Sequence, residues 1–308
     1  MDLFKKTVND IKSLKIQGAT NVAKYSIEAL KHKAKSSKAK TRAAFIKDMN
    51  TAKNVLYATR ITEPLMRNCL RFMTYSLEDS NIQDVKDLKN LVYITGDDTL
   101  SRITKDKKII SEIAAKKIEN GMTILTHCHS STVIDAFKLA KAEGKKFSVI
   151  CTESRPLYQG RITAKEIAKS KIPVTMVVDS AVSTYIRDAS MVYVGADLVT
   201  ADINLANKVG TLYVALASKR VNIPFYVLAE LAKFDPETIF GKPGQIEMRD
   251  PKEIWDKPPK GLQILNPAFD LTPMELISAF ITQAGIVPPA SFLDIVKDNA
   301  PWILRGLR

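Results

Sequence analysis

The sequence has few of the residues that mark disulfide-rich or metal-bound proteins. Its 308 residues include only three cysteines, Cys69, Cys128 and Cys151, and no CxxC pair. A small, odd number of cysteines predicts free thiols rather than a disulfide framework or a structural zinc site. Because free thiols are typical of a reducing compartment, we expect a cytoplasmic protein without a metal site.

Signals for membranes and for common nucleotide cofactors are also missing. No apolar run approaches the roughly 18 residues that span a bilayer, and residues 1–6 lack an apolar signal core. No GxGxxG follows the first predicted strand, and no GxxxxGK[ST] occurs, which argues against dinucleotide enzymes and P-loop hydrolases. We therefore expect no membrane partner and no cofactor.

Positive charge is plentiful, with a formal net charge of +13, and part of it comes from residues 31–42. This lysine-rich stretch lacks aromatic residues that would stack on bases, so a solvated helix end and loop is favoured over a nucleic-acid site. The charge also suits attraction of a small, highly anionic substrate.

Two regions differ in their hydrophobic pattern. Residues 1–120 show apolar residues at helical spacing, with breaks at Gly18, at residues 62–64 and at residues 97–99, the last before a long helix ending at Gly121. This pattern predicts an N-terminal helical domain over residues 1–120.

Residues 121–308 instead alternate short β-rich runs with helical stretches, which predicts a Rossmann-like, doubly wound parallel sheet of the α/β class. The predicted strands are residues 123–126, 147–151, 174–178, 191–194 and 224–228. The predicted helices are residues 132–142, 163–170, 182–188, 207–219, 272–284 and 291–299, with a long ordered loop over residues 234–267.

Cys128 directly follows the first predicted strand and precedes a helix, the place where α/β sheets carry their chemistry. A thiol there can have a lowered pKa and act as a base or nucleophile. A buried structural cysteine fits the position equally well. His127 and His129 beside it either take part in the chemistry or shape the loop by hydrogen bonding.

Two carboxylates also follow predicted strands. Asp197 comes after residues 191–194, where partial burial would raise its pKa and suit a general acid, although it could equally cap the next turn. Asp179 is either a helix N-cap or a catalytic group. Asn207 and Lys208, at a predicted helix start, suit a phosphate, as do Arg60 and Lys233 nearby in the predicted cleft.

Motifs over nearly the whole chain, in this order, resemble those of one superfamily. It contains the archaeal ribose-1,5-bisphosphate isomerases, the methylthioribose-1-phosphate isomerases and the regulatory subunits of translation initiation factor 2B. The motifs are Gly18-Ala19, Arg60-x-Thr62, Thr126-His127-Cys128-His129-Ser130, Thr152-Glu153-Ser154-Arg155-Pro156, Gly160, Val178-Asp179-Ser180-Ala181, Gly195-Ala196-Asp197, Asn207-Lys208-x-Gly210-Thr211, Lys233-Phe234, Glu247-Met248-Arg249-Asp250, Asn266-Pro267-Ala268-Phe269-Asp270 and Gly285-Ile286-Val287-Pro288-Pro289.

The resemblance is strongest to the ribose-1,5-bisphosphate isomerases and implies conversion of ribose 1,5-bisphosphate to ribulose 1,5-bisphosphate. It implies that Cys128 is the base and Asp197 the acid. The substrate-binding residues that we predict are Gln17, Gly18, Ala19, Arg60, Ser130, Asn207, Lys208 and Lys233. The family further implies a homo-oligomer of dimers assembling to a hexamer, a role in nucleotide salvage and AMP as an activator.

Three departures favour an alternative, a regulatory subunit that binds a sugar phosphate or nucleotide and a translation partner. Gln17 stands where the isomerases usually have arginine, and Ile61 where they usually have proline. Asp202-Ile203 replaces Asn-Gly, and we expect this to change the turn, because glycine tolerates a positive φ and isoleucine does not. The Cys128 and Asp197 pair favours the enzyme.

Overall fold

The N-terminal region is helical, as predicted. The computed structural model describes residues 2–60, 62–240 and 246–305. The first helices are α1 (Leu3–Lys12), α2 (Ala19–Ser36), α3 (Arg42–Tyr57), α4 (Pro64–Asp79) and α5 (Val85–Lys117). Asp2, Thr41 and Asp84 cap the starts of α1, α3 and α5 with side-chain oxygens. Breaks fall at Gly18 and before Pro64, as the sequence indicates.

The break predicted at residues 97–99 is wrong, because α5 runs through it and ends at Lys117 rather than Gly121. Asp97 lies 2.6 Å from the Lys31 ammonium, so its charge is compensated by another helix. The Thr99 hydroxyl donates to the Thr95 carbonyl at 2.6 Å within α5. Polar residues that favour turns in isolation are therefore satisfied inside this helix.

The prediction that the lysine-rich stretch, residues 31–42, is a solvated helix end and loop is wrong for Lys31. It is 7% exposed and pairs with Glu28 and Asp97, at 3.0 and 2.6 Å, so it is not a solvated surface charge. Lys35, Lys38 and Lys40 are exposed, as the sequence suggested. Within this stretch, Lys31 is therefore buried and ion-paired inside the helical region.

The remaining chain forms the predicted doubly wound sheet with helices on both faces. Its strands are β1 (Thr123–Thr126), β2 (Ser148–Thr152), β3 (Val174–Val177), β4 (Met191–Val194), β5 (Leu198–Val199), β6 (Leu205–Lys208), β7 (Phe225–Leu228), β8 (Phe269–Thr272), β9 (Ala279–Thr282) and β10 (Gly285–Val287). Its helices are α6 (Ser131–Ala142), α7 (Gln159–Lys169), α8 (Val182–Tyr185), α9 (Thr211–Arg220) and α10 (Phe292–Asn299). Among the described residues, the main sheet has the order β10-β9-β7-β4-β1-β2-β3, parallel except for β10.

Burial on both faces explains why the strands of this sheet are apolar throughout. On one face, Phe137 of α6 and Ile110 of α5 pack with Tyr193. On the other, Val214 of α9 and Phe292 of α10 belong to a second core. Helix α5 contributes to the helical core as well, through Leu88, Val92 and Ile103. The proposed domain boundary at residue 120 remains a prediction.

One predicted helix begins too early, and another is wrong. Residues 207–208 belong to β6, which forms a small antiparallel sheet with β5 and β8, and α9 begins only at Thr211. Residues 272–284 contain β9 instead of a helix. Every residue of β9 is buried, and periodicity cannot distinguish so short an apolar run from a buried helix.

The predicted long loop over residues 234–267 holds short 3₁₀ turns at Pro236–Phe240 and Pro251–Glu253, and residues 241–245 of it lie outside the described part. In the described ranges, no helix is long and apolar enough to cross a bilayer.

Candidate active site

A cleft of about 460 Å³ lies where the carboxyl ends of β1, β4 and β6 face the start of α2. All ten predicted site residues line it: Cys128, Asp197, Gln17, Gly18, Ala19, Arg60, Ser130, Asn207, Lys208 and Lys233. These residues come from both regions of the chain and from distant positions in the sequence. The fold therefore brings together the residues that the sequence singled out.

Cys128 follows β1 in a left-handed backbone conformation, with φ of 66°. Its N–H donates to the Ser154 hydroxyl at 2.8 Å, and its carbonyl accepts from the Thr163 hydroxyl at 2.8 Å. Burial raises the pKa of its thiol to about 11, although Lys208 opposes this. The expected lowering of this pKa is therefore wrong, because desolvation outweighs the nearby helix start and cation.

Asp197 follows β4, and its N–H donates to the Ala206 carbonyl at 3.1 Å. Burial raises the pKa of its carboxyl, against the influence of Lys233, Lys208 and Arg60. The direction agrees with the sequence-based expectation. A raised pKa favours the protonated form of a carboxyl, which is the form that a general acid needs.

Arg60 and Lys233 are held by carboxylates beside Asp197. Arg60 Nε lies 3.0 Å from Glu247 Oε2, and Arg60 Nη2 lies 3.4 Å from Glu63 Oε1. Lys233 Nζ lies 3.1 Å from Glu230 Oε2 and donates to the Ala196 carbonyl at 2.7 Å. Both cations are thus already paired inside the protein.

Glu63 and Glu230, which are each 1% exposed, had no predicted role. Burial raises the pKa of Glu63 to about 8, and Arg60 partly counters it. The only signal for Glu230 in the sequence was its spacing of three residues from Lys233, which suits an ion pair on one helical turn.

The start of α2 offers unused backbone donors to the cleft. Gly18, with φ of 81°, begins the helix and supplies no side-chain cap. The Gln17 amide donates to the Leu14 carbonyl at 2.7 Å. Ala19, Thr20 and Asn21 line the cleft, and the first-turn N–H groups of a helix suit an anion.

The start of α6 lies beside Cys128. The Ser130 hydroxyl accepts from the Val133 N–H at 3.4 Å and so caps this helix. Gly195 lets the next strand end approach, because a Cβ there would lie 2.8 Å from the Ser130 hydroxyl oxygen. Ser130 and Asp197 thereby reach the same cleft.

The start of α9 is not open to a phosphate, which corrects the expectation for Asn207 and Lys208. The Asp270 carboxylate already accepts the N–H groups of Gly210, at 2.7 Å, and Leu212, at 3.2 Å. Lys208 itself lines the cleft and remains a candidate phosphate ligand through its ammonium.

Further cations line the cleft that the sequence did not single out as ligands. Lys24, Lys107 and Arg249 join Arg60, Lys208 and Lys233, whereas the lining carboxylates are Glu63, Asp197 and Glu253. Arg249 lies in the Glu-Met-Arg-Asp motif, and that motif was its only signal. The cleft thus carries more cations than carboxylates along its lining.

The departure at residues 202–203 lies in a turn with a left-handed residue. Ile203 has a φ of 61° and is 6% exposed, so isoleucine does adopt a positive φ here, contrary to the reason given for expecting a changed turn. Asp202 accepts a hydrogen bond from the Asn204 amide at 2.7 Å and supports the turn. The departure at Ile61 lies outside the described residues.

Asp179, for which an N-cap and a catalytic role were both open, instead accepts the N–H groups of Ser154 and Arg155, each at 2.7 Å. It therefore anchors the loop after β2. Across the described ranges, no group of three or more His, Cys, Asp or Glu side chains is arranged to hold a metal ion.

The initiation factor 2 subunit family matches residues 15–289 of the chain. The chain belongs to this family, so the resemblance inferred from the motifs is confirmed. It is 39% identical to the ribose 1,5-bisphosphate isomerase of Pyrococcus furiosus over 302 residues, covering 96% of this chain and 93% of that protein. It is 38% identical to the ribose 1,5-bisphosphate isomerase of Thermococcus kodakarensis, covering 96% and 94%.

Among solved structures, the chain resembles that of the Pyrococcus horikoshii translation initiation factor eIF-2B, with a TM-score of 0.81 and 30% sequence identity. The match covers 93% of this chain and 97% of that one. Isomerases and an initiation factor thus both stand among its relatives.

Proposed function

We propose that the protein is a sugar-phosphate isomerase that converts ribose 1,5-bisphosphate to ribulose 1,5-bisphosphate. The observation that carries this proposal is the meeting of Cys128 and Asp197 in one cation-rich cleft. Relatives named for this activity match nearly the whole chain. Together these observations favour acid–base chemistry on a doubly phosphorylated sugar.

In the proposed mechanism, the Cys128 thiolate removes the proton from C2 of the closed sugar. The C2–H electrons form the C1=C2 double bond as the bond from C1 to the ring oxygen breaks, and Asp197 protonates that oxygen. The resulting phosphoenol then loses its C2 hydroxyl proton to Asp197 and gains a proton at C1 from Cys128. Both residues return to their starting states, and no redox step occurs.

Two kinds of group would hold the phosphates. The first turn of α2, beginning at Gly18 and Ala19, offers N–H donors to one phosphate. Lys208, Lys233 and Arg60 supply cations near Asp197. Asn207 and Ser130 line the same cleft and complete the proposed contacts, and Gln17 contributes backbone at the entrance of α2.

The raised pKa of Cys128, about 11, has a consequence for this mechanism. The thiol must ionise before it can act as a base, so the fraction of active protein grows with pH below that value. We expect kcat/KM to rise with pH as the thiolate forms and to stop rising once Asp197 has lost the proton that it donates.

The second candidate is a regulatory protein of the initiation factor 2B type that binds a sugar phosphate or nucleotide without converting it. Similarity to the initiation factor of Pyrococcus horikoshii favours it. So does the pairing of Arg60 with Glu247, because a cation held in an ion pair attracts a phosphate less strongly.

We further infer a homo-oligomer, with dimers assembling to a hexamer, and AMP as an activator, both on the basis of the family. Light scattering that gives only the 34.2 kDa of one chain would contradict the oligomer, and an unchanged rate with AMP would contradict the activation. A catalytic free thiol suits the reducing cytoplasm.

Ribose 1,5-bisphosphate incubated with the purified protein separates the two functions. We expect ribulose 1,5-bisphosphate to appear, as followed by phosphorus NMR, and methylthioribose 1-phosphate to react far more slowly because it lacks the second phosphate. Binding of ribose 1,5-bisphosphate without any product, with or without AMP, would favour the regulatory protein instead.

A further inference from the structure

Two hydroxyl groups outside the cleft hold the Cys128 peptide from opposite sides. Ser154 accepts its N–H at 2.8 Å, and Thr163 donates to its carbonyl at 2.8 Å. Ser154 is 0% exposed and Thr163 is 1% exposed, and neither lines the cleft. They are therefore placed to act on the cysteine rather than on a bound molecule.

Behind Ser154, a series of hydrogen bonds passes through Thr152 and His127 to the Val209 carbonyl, and each group donates to the next. His127 Nε2 lies 3.0 Å from the Val209 carbonyl, which can only accept, so this nitrogen carries the hydrogen. His127 Nδ1 then accepts from the Thr152 hydroxyl at 2.6 Å. Thr152 in turn accepts from the Ser154 hydroxyl at 3.2 Å, which leaves Ser154 oxygen lone pairs for the Cys128 N–H.

This arrangement requires a neutral imidazole at His127, since a second ring hydrogen would oppose the Thr152 hydroxyl. Burial lowers the pKa of His127, and the side chain is 1% exposed, which is consistent with a neutral ring. His127 therefore shapes the loop, although it also lines the cleft.

The hydrogen bonds of the Thr163 hydroxyl, on the other side of Cys128, also have defined directions. Because its single hydrogen goes to the Cys128 carbonyl, the Thr163 oxygen accepts from His129 Nδ1 at 3.1 Å. Asp179 fixes the Ser154 backbone by accepting its N–H at 2.7 Å. Each donor in this network thus has a separate acceptor.

The network matters because both partners are in left-handed conformations. Cys128 has φ of 66° and Ser154 has φ of 59°. Such conformations are disfavoured for residues other than glycine, and they persist only where the surroundings impose them. Without its hydrogen bonds, the Cys128 peptide would relax and carry its sulfur to a new position.

We propose that Ser154 and Thr163 are positioning residues, which hold the Cys128 peptide in its left-handed conformation and so set where its sulfur lies in the cleft. The consequence for catalysis rests on the proposed function. Because neither residue lines the cleft, their loss should slow the chemical step without weakening substrate binding.

Thr163→Val removes the hydroxyl at nearly constant shape, and Thr163→Ser keeps it. We expect Thr163→Val to lower kcat by about 10- to 100-fold with KM within about twofold, since small misplacements of a reacting group cost this much. Thr163→Ser should stay within about threefold of the wild type. A Thr163→Val enzyme with wild-type kcat would overturn the proposal.

Labelling of Cys128 by iodoacetamide tests the positioning without any assay of isomerisation. Burial gives the wild-type thiol a pKa of about 11, so its labelling, followed by mass spectrometry, should rise steeply with pH. In Thr163→Val the thiol relaxes, and the midpoint should move toward that of an ordinary thiol, whereas Thr163→Ser should match the wild type.

Ser154→Ala removes the hydroxyl that accepts the Cys128 N–H. This variant replaces Thr163→Val if Thr163→Val fails to fold, as judged by circular dichroism. Identical labelling curves for the wild type and the hydroxyl-deficient variants would overturn the proposal. A wild-type protein that makes no ribulose 1,5-bisphosphate would refute the proposed function, and the labelling curves would still decide the role of Ser154 and Thr163.

Discussion

At the scale of single residues, Arg60 has several carboxylates around it whose charges interact. Asp197, Glu63 and Glu247 all lie close to Arg60. The positive charge of Lys233 also acts on Asp197 and Glu63. Burial raises the pKa of Glu63 to about 8, so this carboxyl holds a proton at neutral pH. Arg60 is consequently less neutralised than its two ion pairs suggest, which leaves it charge for a phosphate.

The raised pKa of Glu63 makes stability depend on pH. Between the ordinary value of 4.5 and about 8, the folded protein keeps a proton that the unfolded chain has released. Unfolding therefore becomes more favourable as pH rises through this range.

Glu63→Gln removes this ionisation while keeping the shape of the side chain. From pH 6 to pH 9 we expect the wild type to lose more stability than the variant, by on the order of 2 kcal/mol, because one pKa unit corresponds to ~1.4 kcal/mol. Denaturant unfolding at both pH values measures the difference.

Glu166→Gln is the matched control. A hydrogen bond from Lys138 lowers the pKa of Glu166, so this carboxyl is ionised throughout the range and its loss should leave the pH dependence unchanged. Equal pH slopes for the wild type and Glu63→Gln would show that Glu63 does not hold its proton.

At the scale of elements, the start of α7 packs directly on the end of β2. A Cβ at Gly160 would lie 1.7 Å from the Thr152 carbonyl oxygen, so only glycine fits between these two backbones. Thr152 also belongs to the hydrogen-bonded network behind Cys128. The contact thereby connects a packing requirement to the geometry of the proposed base.

Gly160→Ala should destabilise the protein by about 3 kcal/mol or more, because backbone atoms must move to admit the methyl group. Gly144→Ala is the control: Gly144 has φ of 83°, but a Cβ there would meet no atom within 4 Å, so the change should cost only about 1–2 kcal/mol. Thermal unfolding compares them. Similar losses for both variants would refute the close packing of α7 on β2.

Some helices and strands of this fold could be predicted from the sequence, and others could not. Strands such as Met191–Val194 were predicted with their bounds, because a short apolar run between turn residues has few other interpretations in an α/β pattern. The continuity of α5 was missed because the partner of Asp97, Lys31, lies 66 residues away. The strand β9 was missed because its burial comes from pairing with β7.

The candidate site was more predictable than its surroundings. Position and chemical type identified Cys128, Asp197, Arg60, Asn207, Lys208 and Lys233, and the resemblance supplied Gln17, Gly18, Ala19 and Ser130, all of which line the cleft. Local sequence could not show that burial raises the Cys128 pKa, nor that Asp270 occupies the start of α9. Both depend on side chains brought from distant parts of the chain.

At the scale of the whole molecule, the helical region and the sheet meet around the cleft. The start of α2 provides backbone donors, the strand ends provide Cys128, Asp197 and Lys208, and the helical region contributes Lys24, Arg60 and Lys107. The net charge of +13 suits attraction of an anionic substrate to this cleft. We propose that the thiol and the carboxyl perform proton transfer there.

Single-turnover conversion of ribose 1,5-bisphosphate by excess protein is the direct test of proton transfer by Cys128 and Asp197. We predict that the wild type forms ribulose 1,5-bisphosphate, whereas Cys128→Ser and Asp197→Asn bind the substrate with similar affinity, as measured by calorimetry, and convert it at least about 100-fold more slowly. Conversion by either variant at a rate close to that of the wild type would contradict the account.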